Sequence, residues 1–257
     1  MNLLTISDGF GDSVAVPQWY PEYIKWPDII KLMTSGVNLT NLSRYGAGNE
    51  YIVNCLRNNL DDKNLVLVQW AAPNRLDLLL GHSKPYQEFW NDAIGNDPIY
   101  KDNIVEIGLE KFWITSNSTS APVIEYHQKY ITNAQHQMRS QIFIDYAKLA
   151  IEQNSIEYRF LLTTDSEYLS NTVSNDIRWT WHHPWHGMHS FRFRSDFKDL
   201  DLGLMQPIPL IHFDFIKKFI MPEINLPWRS TAEIDAVENM LYKTYKESVQ
   251  NKPIGVQ

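Results

Sequence analysis

Through Trp70 the chain alternates between short, continuously apolar runs and segments whose apolar residues recur at helical spacing. Leu3-Leu4-Thr5-Ile6 is apolar and partly β-branched and stops at Ser7-Asp8-Gly9, which predicts a buried first strand followed by a polar loop. Pro27 suits the first position of a helix, Asp28 its first turn, and Ile29, Ile30, Leu32 and Met33 its apolar face, with Gly36 as the stop. Val37 to Leu42 predicts a second strand. After Ser43-Arg44-Tyr45-Gly46-Ala47-Gly48, Asn49 has the chemistry of a helix N-cap, Glu50 suits the first turn, and Ile52, Val53, Leu56 and Leu60 share one face. Leu65 to Trp70 is the strongest strand pattern in the chain. Strands without polar alternation, each followed by a helix, predict a parallel sheet covered by helices on both sides.

The pattern weakens between about residue 71 and residue 122, where Pro73, Pro85 and Pro98 interrupt scattered aromatics, as in a lid-like insertion built on loops and short helices. From Glu125 to about Gln153 one long amphipathic helix is expected. Its apolar face would be Tyr130, Ile131, Ala134, Met138, Ile142, Tyr146, Leu149 and Ala150. Tyr158 to Thr163 is the following strand, with a polar exit at Thr164-Asp165-Ser166. Pro207, Pro209, Pro222 and Pro227 preclude one long helix later on. Ser230 and Glu233 have capping-box spacing, and Ile234, Val237, Leu241 and Tyr245 line a closing helix to about Val249.

Composition fits this reading. The chain has 257 residues, 44% apolar and 13% aromatic, enough for a large core; this length favours one α/β domain with insertions over the alternative of two compact domains. A single Cys excludes a disulfide framework and a zinc–thiolate cluster. The net charge of −7 repels nucleic acid and anionic membranes, and no apolar run approaches the length of a membrane span. The amino terminus lacks the features of a signal peptide. The expectation is a cytoplasmic protein with no nucleic-acid and no membrane partner.

In an open parallel sheet, ligands bind beyond the carboxyl ends of the strands, so those loops carry the candidate chemistry. The first holds Asp8 and Gly11-Asp12-Ser13, the second Gly46, Gly48 and Asn49, the third Asn74 and Arg75, and His183 lies far downstream. Together they offer a hydroxyl nucleophile, amide donors for an oxyanion and an imidazole base. Each also has a plainer reading. Gly-Asp-Ser is a turn sequence, the glycines suit positive φ, and Asn49 suits a cap. His182, His183, His186 and His189 read as metal ligands, as a source of one general base, or as packing partners of Trp179, Trp181 and Trp185. Phe191-Arg192-Phe193-Arg194 reads as an edge strand or as a stacking surface.

These blocks resemble the SGNH (GDSL) hydrolase superfamily of esterases, acetyl-hydrolases and lipases. Phe10-Gly11-Asp12-Ser13 is similar to its nucleophile block, Tyr45 to Ile52 to its second block, Val68 to Arg75 occupies its third, and His183-Pro184 with His189 is similar to its carboxyl-terminal His block. Trp70 and Arg75 after the third strand also look like a subset of uncharacterised SGNH-like phage proteins. The resemblance, carried by about residues 1–75 and more weakly by 176–190, implies a three-layer, flavodoxin-like α/β fold; the chain reads as one domain over residues 1–257, with the insertion at about 71–122 and a carboxyl-terminal extension at about 190–257. It also implies a serine esterase acting on an ester or O-acetyl group of a small molecule or glycan. Ser13 and His183 would be catalytic, Asp8, Gly46, Asn49 and Asn74 would bind the oxyanion or substrate, and no metal or cofactor would be needed. A phage origin would put it in the host cytoplasm or the virion. The chain departs from the family in several places: Asn74 is displaced relative to a Gly-x-Asn-Asp block that is absent, and a long extension follows the His block where the family usually has one helix. Directly after the first strand, Gly9 stands where the nucleophile belongs, and Thr180 stands three before His183 in place of an acid, with Asp176 nearby. These departures leave a catalytically inactive binding or structural module as the alternative. A nucleotide transferase is disfavoured because Ser7-Asp8-Gly9-Phe10-Gly11 lacks the Lys and spacing of a P-loop.

Overall fold

The structure, a computed structural model, describes residues 1–7, 24–44, 46–71, 75, 77–80, 104–107, 110–114, 125, 129, 132–162 and 209–250. Strands β1 (Asn2–Ser7), β2 (Asn38–Asn41), β3 (Leu65–Trp70) and a later strand, Glu157–Leu162, form one parallel sheet. Helices α1 (Trp26–Met33) and α2 (Asn49–Arg57) connect the first three. This is the α/β architecture that the alternating pattern predicts.

The insertion departs from expectation. Where loops and short helices are expected, its described residues contribute β4 (Asp77–Leu80), β5 (Ile104–Ile107) and β6 (Glu110–Ile114), an antiparallel sheet of order β4-β6-β5. Ile107 pairs with Glu110, so only two residues join β5 to β6. The signal was present in Ile104-Val105-Glu106-Ile107-Gly108-Leu109-Glu110, a Gly-containing two-residue link between strand-forming runs. The surrounding prolines obscured it. The parallel strand Glu157–Leu162 is therefore β7, and the main sheet has the order β2-β1-β3-β7.

Register fixes the two faces, because paired residues of parallel strands point the same way and alternate along each strand. Thr5, Leu67 and Arg159 are in register on one face, as are Ser7, Gln69 and Leu161; Ile6, Val68 and Phe160 lie on the other. The first face meets α1, where the Trp26 indole Nε1 donates to Gln69 Oε1 at 2.9 Å. The carboxyl-terminal elements cover the same side. They are α4 (Pro209–Phe215), which runs on as a π-helical turn over Ile216–Ile220, and α5 (Thr231–Gln250). Arg159 Nη2 donates to Glu223 O at 3.0 Å, which ties the strand to the turn between them. The Ser230–Glu233 capping box forms as expected. Ile234, Leu241 and Tyr245 are buried, as their spacing predicts.

The opposite face carries α2 and the long helix α3 (Asn133–Gln153), whose start is fixed by a capping box between Thr132 and Gln135. Here the expected apolar face is reversed. Ile144, Ala147 and Ile151 are buried together with His136 and Ser140, whereas Met138, Ile142, Tyr146 and Leu149 are exposed. The helix is apolar on two sides, so spacing alone could not choose between them. Packing against α2 and β7 selected the side with the small residues, where Ser140 and Ala147 permit close approach. Among the described residues, no helix is long and apolar enough to cross a membrane.

Candidate functional site

β1, β2 and β3 are parallel, so the segments that follow all three leave the same edge of the sheet. The chain passes from β1 outward to β2 and returns to β3 on the far side of β1, which makes a topological switch point between β1 and β3. Such a point leaves a crevice between diverging loops.

The described part of the β2–α2 loop follows β1. Leu42 N donates to Thr5 O at 2.9 Å and Arg44 N to Ser7 O at 3.0 Å, so the loop runs on beside β1 past the end of β2. Ala47 N then donates to Arg44 O at 3.1 Å, closing a turn in which Gly46 takes φ +78°. A residue with a Cβ adopts that conformation only with strain, as at the third position of a type II turn.

Gly48 is a glycine for a different reason. Its φ of −96° is open to any residue, but a Cβ there would lie 2.9 Å from Asp77 Oδ2 and 3.1 Å from Arg75 O. The close approach serves a cap. Gly48 N donates to Asp77 Oδ1 at 3.0 Å and Oδ2 at 2.8 Å, and Tyr51 N donates to Oδ2 at 3.0 Å. A carboxylate 29 residues further along the chain thus satisfies two of the orphan amides of α2 and complements the positive end of its dipole. Asp77 is buried, and loss of water raises its pKa to about 7 against the opposing pull of the Tyr51 and Gly48 amides and the Arg75 charge. One turn along, burial pushes the Cys55 thiol up to about 12, so it is a neutral core residue.

Asn49 is not the N-cap that its position suggests; Gly48 holds that place and Asn49 opens the helix. The reason is that the Asn49 side chain is buried and committed elsewhere. Its Oδ1 accepts from Ala71 N at 3.0 Å, and its Nδ2 donates to Ala71 O at 3.3 Å and to Ser140 Oγ at 2.9 Å. This brace joins the start of α2 to the exit of β3 and to α3. Beside it, Glu50 pairs with Arg139 of α3.

On the other face a polar group is enclosed at the same end of the sheet. Ser7 and Gln69 are in register and fully buried, as are Lys25, at the N-cap of α1, and His212 of α4. Burial and the nearby Lys25 charge lower the His212 pKa to about 3, so the imidazole is neutral.

Of the sequence-predicted site residues, the structure describes Gly46 and Asn49 and sets both at the edge where β1 and β3 end. Asp8, Gly9, Ser13, Asn74, Asp176, Thr180 and His183 lie outside the described residues, as do the other three histidines of that run, the 163–166 exit and the 191–194 segment. Among the described residues no group of His, Cys, Asp and Glu is placed to hold a metal ion. Sequence reasoning missed Asp77 and Ser140. A lone acid in the apolar run Leu76-Asp77-Leu78-Leu79-Leu80 was the only signal of the first, and nothing marked the second. Compared with protein-family models and with curated proteins, the chain matches none.

Proposed function

We propose that the protein is an SGNH-like serine hydrolase that cleaves an ester or O-acetyl group, the latter for instance on a carbohydrate. In this mechanism Ser13 attacks the carbonyl carbon and His183 takes the hydroxyl proton, then returns it to the leaving alcohol as the acyl group passes to Ser13. A water deprotonated by His183 then attacks the acyl-serine, releasing the acid and restoring the hydroxyl. The backbone amides of Ser13 and Gly46 hold the oxyanion together with an asparagine side chain. Asn74 suits that last role better than Asn49, whose donors are spent on Ala71 and Ser140.

One observation carries the reading. In the parallel order β2-β1-β3-β7, the segments bearing Ser13, Gly46 and Asn74 all follow strands that end on one edge, around the β1/β3 switch point. That order is also the start of a flavodoxin-like sheet, the architecture the resemblance implies. The positive φ of Gly46 adds support, since it shapes the loop whose amide would serve the oxyanion.

The test is hydrolysis of a short-chain aryl acetate by the full chain and by Ser13→Ala and His183→Ala. Each variant is expected to lose about 10³-fold or more of the rate. Absence of hydrolysis, or a rate indifferent to both changes, refutes the mechanism. A noncatalytic module on the same sheet, binding glycan or protein, is the second reading. It is favoured by the internal commitment of the Gly48 amide and of the Asn49 side chain, two of the donors an oxyanion would otherwise use.

A further inference from the structure

We infer that Asp77 is a positioning residue of this site: its carboxylate, carried in on β4 of the smaller sheet, clasps the first turn of α2 and holds the Gly46–Asn49 loop against the exit of β3. The inference rests on the hydrolase reading for its catalytic consequence, though not for the clasp.

Three features make the contact a device that sets loop geometry. The carboxylate is buried and takes both Gly48 N and Tyr51 N, so moving it releases two helix amides at once. The glycine it touches leaves no slack, because a Cβ at residue 48 would meet both the carboxylate and the Arg75 backbone. The adjacent residue, Asn49, is braced to Ala71, so the loop is held from β4 on one side and from the end of β3 on the other. β4 belongs to the β4-β6-β5 sheet, so the Asp77 side chain links the seat of the insertion to the loop.

The clasp also has two strengths, since hydrogen bonds to an ionised carboxylate are stronger than those to its neutral form. Arg75 favours the ionised form, the Cys55 thiol is neutral, the Tyr51 hydroxyl donates to Leu42 O at 2.9 Å, and Glu50 is held by Arg139.

The test is amide-resolved NMR of the full chain, wild type and Asp77→Asn, between about pH 5 and pH 9, beside aryl acetate hydrolysis by both. In the wild type the Gly46, Gly48, Asn49 and Tyr51 amides are expected to shift together with a midpoint of about 7, and in Asp77→Asn to lose that titration. The variant is expected to lose about 10- to 100-fold in kcat with KM little changed, and its rate profile to lose the corresponding limb. Loop amides that do not titrate, or a response to Asp77→Asn spread evenly over the molecule, would overturn the clasp. If the wild type does not hydrolyse the ester, the hydrolase reading falls and the amide titration alone decides the clasp. Should Asp77→Asn not fold, Gly48→Ala crowds the same carboxylate without removing it and is expected to move the same four amides; leaving them unmoved would also overturn the inference.

Discussion

Gly46 and Gly48 stand two residues apart in one loop, and substitution should separate the reasons for them. At Gly46 the constraint is φ +78°, so alanine forces an L-residue into the left-handed region at a cost of about 1–2 kcal/mol. Asparagine visits that region more readily and should cost less than alanine there. At Gly48 the backbone, φ −96° and ψ −176°, is open to any residue, and the cost is contact alone. The Cβ would sit 2.9 Å from Asp77 Oδ2, 3.1 Å from Arg75 O and 3.2 Å from Arg75 C. The carboxylate can swing away only by weakening its bonds to Gly48 N and Tyr51 N, and the Arg75 contacts are with backbone atoms, which yield less readily than the end of a flexible side chain. Overpacking of this kind costs about 1–3 kcal/mol, offset by about 0.4–1 kcal/mol from a stiffer unfolded chain, so Gly48→Ala should destabilise by about 1–2 kcal/mol. Gly48→Asn, with more atoms in the same gap, should cost more. Urea unfolding of the four variants reads this as a shift in midpoint at unchanged slope. The reasoning predicts opposite orders, asparagine milder at 46 and alanine milder at 48. The same order at both positions, or a neutral Gly48→Ala, would refute it. Removing the carboxylate with Asp77→Ala should shrink the Gly48→Ala penalty by about 0.5 kcal/mol or more, because the remaining clash is with Arg75 alone.

The pH dependence of stability should show two opposed contributions. Asp77, raised from 3.8 to about 7, favours the fold below its unfolded pKa and loses that contribution as pH rises through about 7, at most about 4 kcal/mol by linkage. His212, lowered from 6.5 to about 3, favours the fold above its unfolded pKa and loses that contribution as pH falls toward 3. Wild-type stability is therefore flattened between about pH 4 and pH 6.5, and Asp77→Asn should expose the His212 slope, with stability rising as pH rises; a variant curve parallel to the wild type would contradict the Asp77 assignment. The phase of α3 is tested by paired substitutions. Ile144, 1% exposed, should cost about 2–4 kcal/mol as Ile144→Ala, and Ile142, 53% exposed, about 0.5 kcal/mol or less as Ile142→Ala; the reverse order would mean that the helix is rotated.

Much of the main sheet was legible in the chain because the information was local. Leu3 to Ile6 and Leu65 to Trp70 are apolar without alternation, as strands buried on both faces must be, and both became central strands. The helix signals near Pro27 and at Ser230 with Glu233 also held, because φ restriction and capping act within one turn. The β4-β6-β5 sheet was legible in principle at Ile107 and Glu110, yet its pairing with β4 joins residues more than thirty positions apart, such as Asp77 with Ile114.

The rest was decided in three dimensions. Periodicity established that α3 is a long helix but not which of its two apolar sides turns inward; contact with α2 and β7 settled that. Asn49 has the chemistry of a cap, and its sequence position suggests one, but the nearness of Ala71 and Ser140 gave its amide other partners and left the capping to Asp77. Gly48 looks like a conformational glycine beside Gly46, and only the approach of β4 shows it to be a steric one. Propensity and patterning act over a few residues and were written in the sequence. Which polar group satisfies which depends on contacts between residues distant in the chain, and those exist only once the layers have packed.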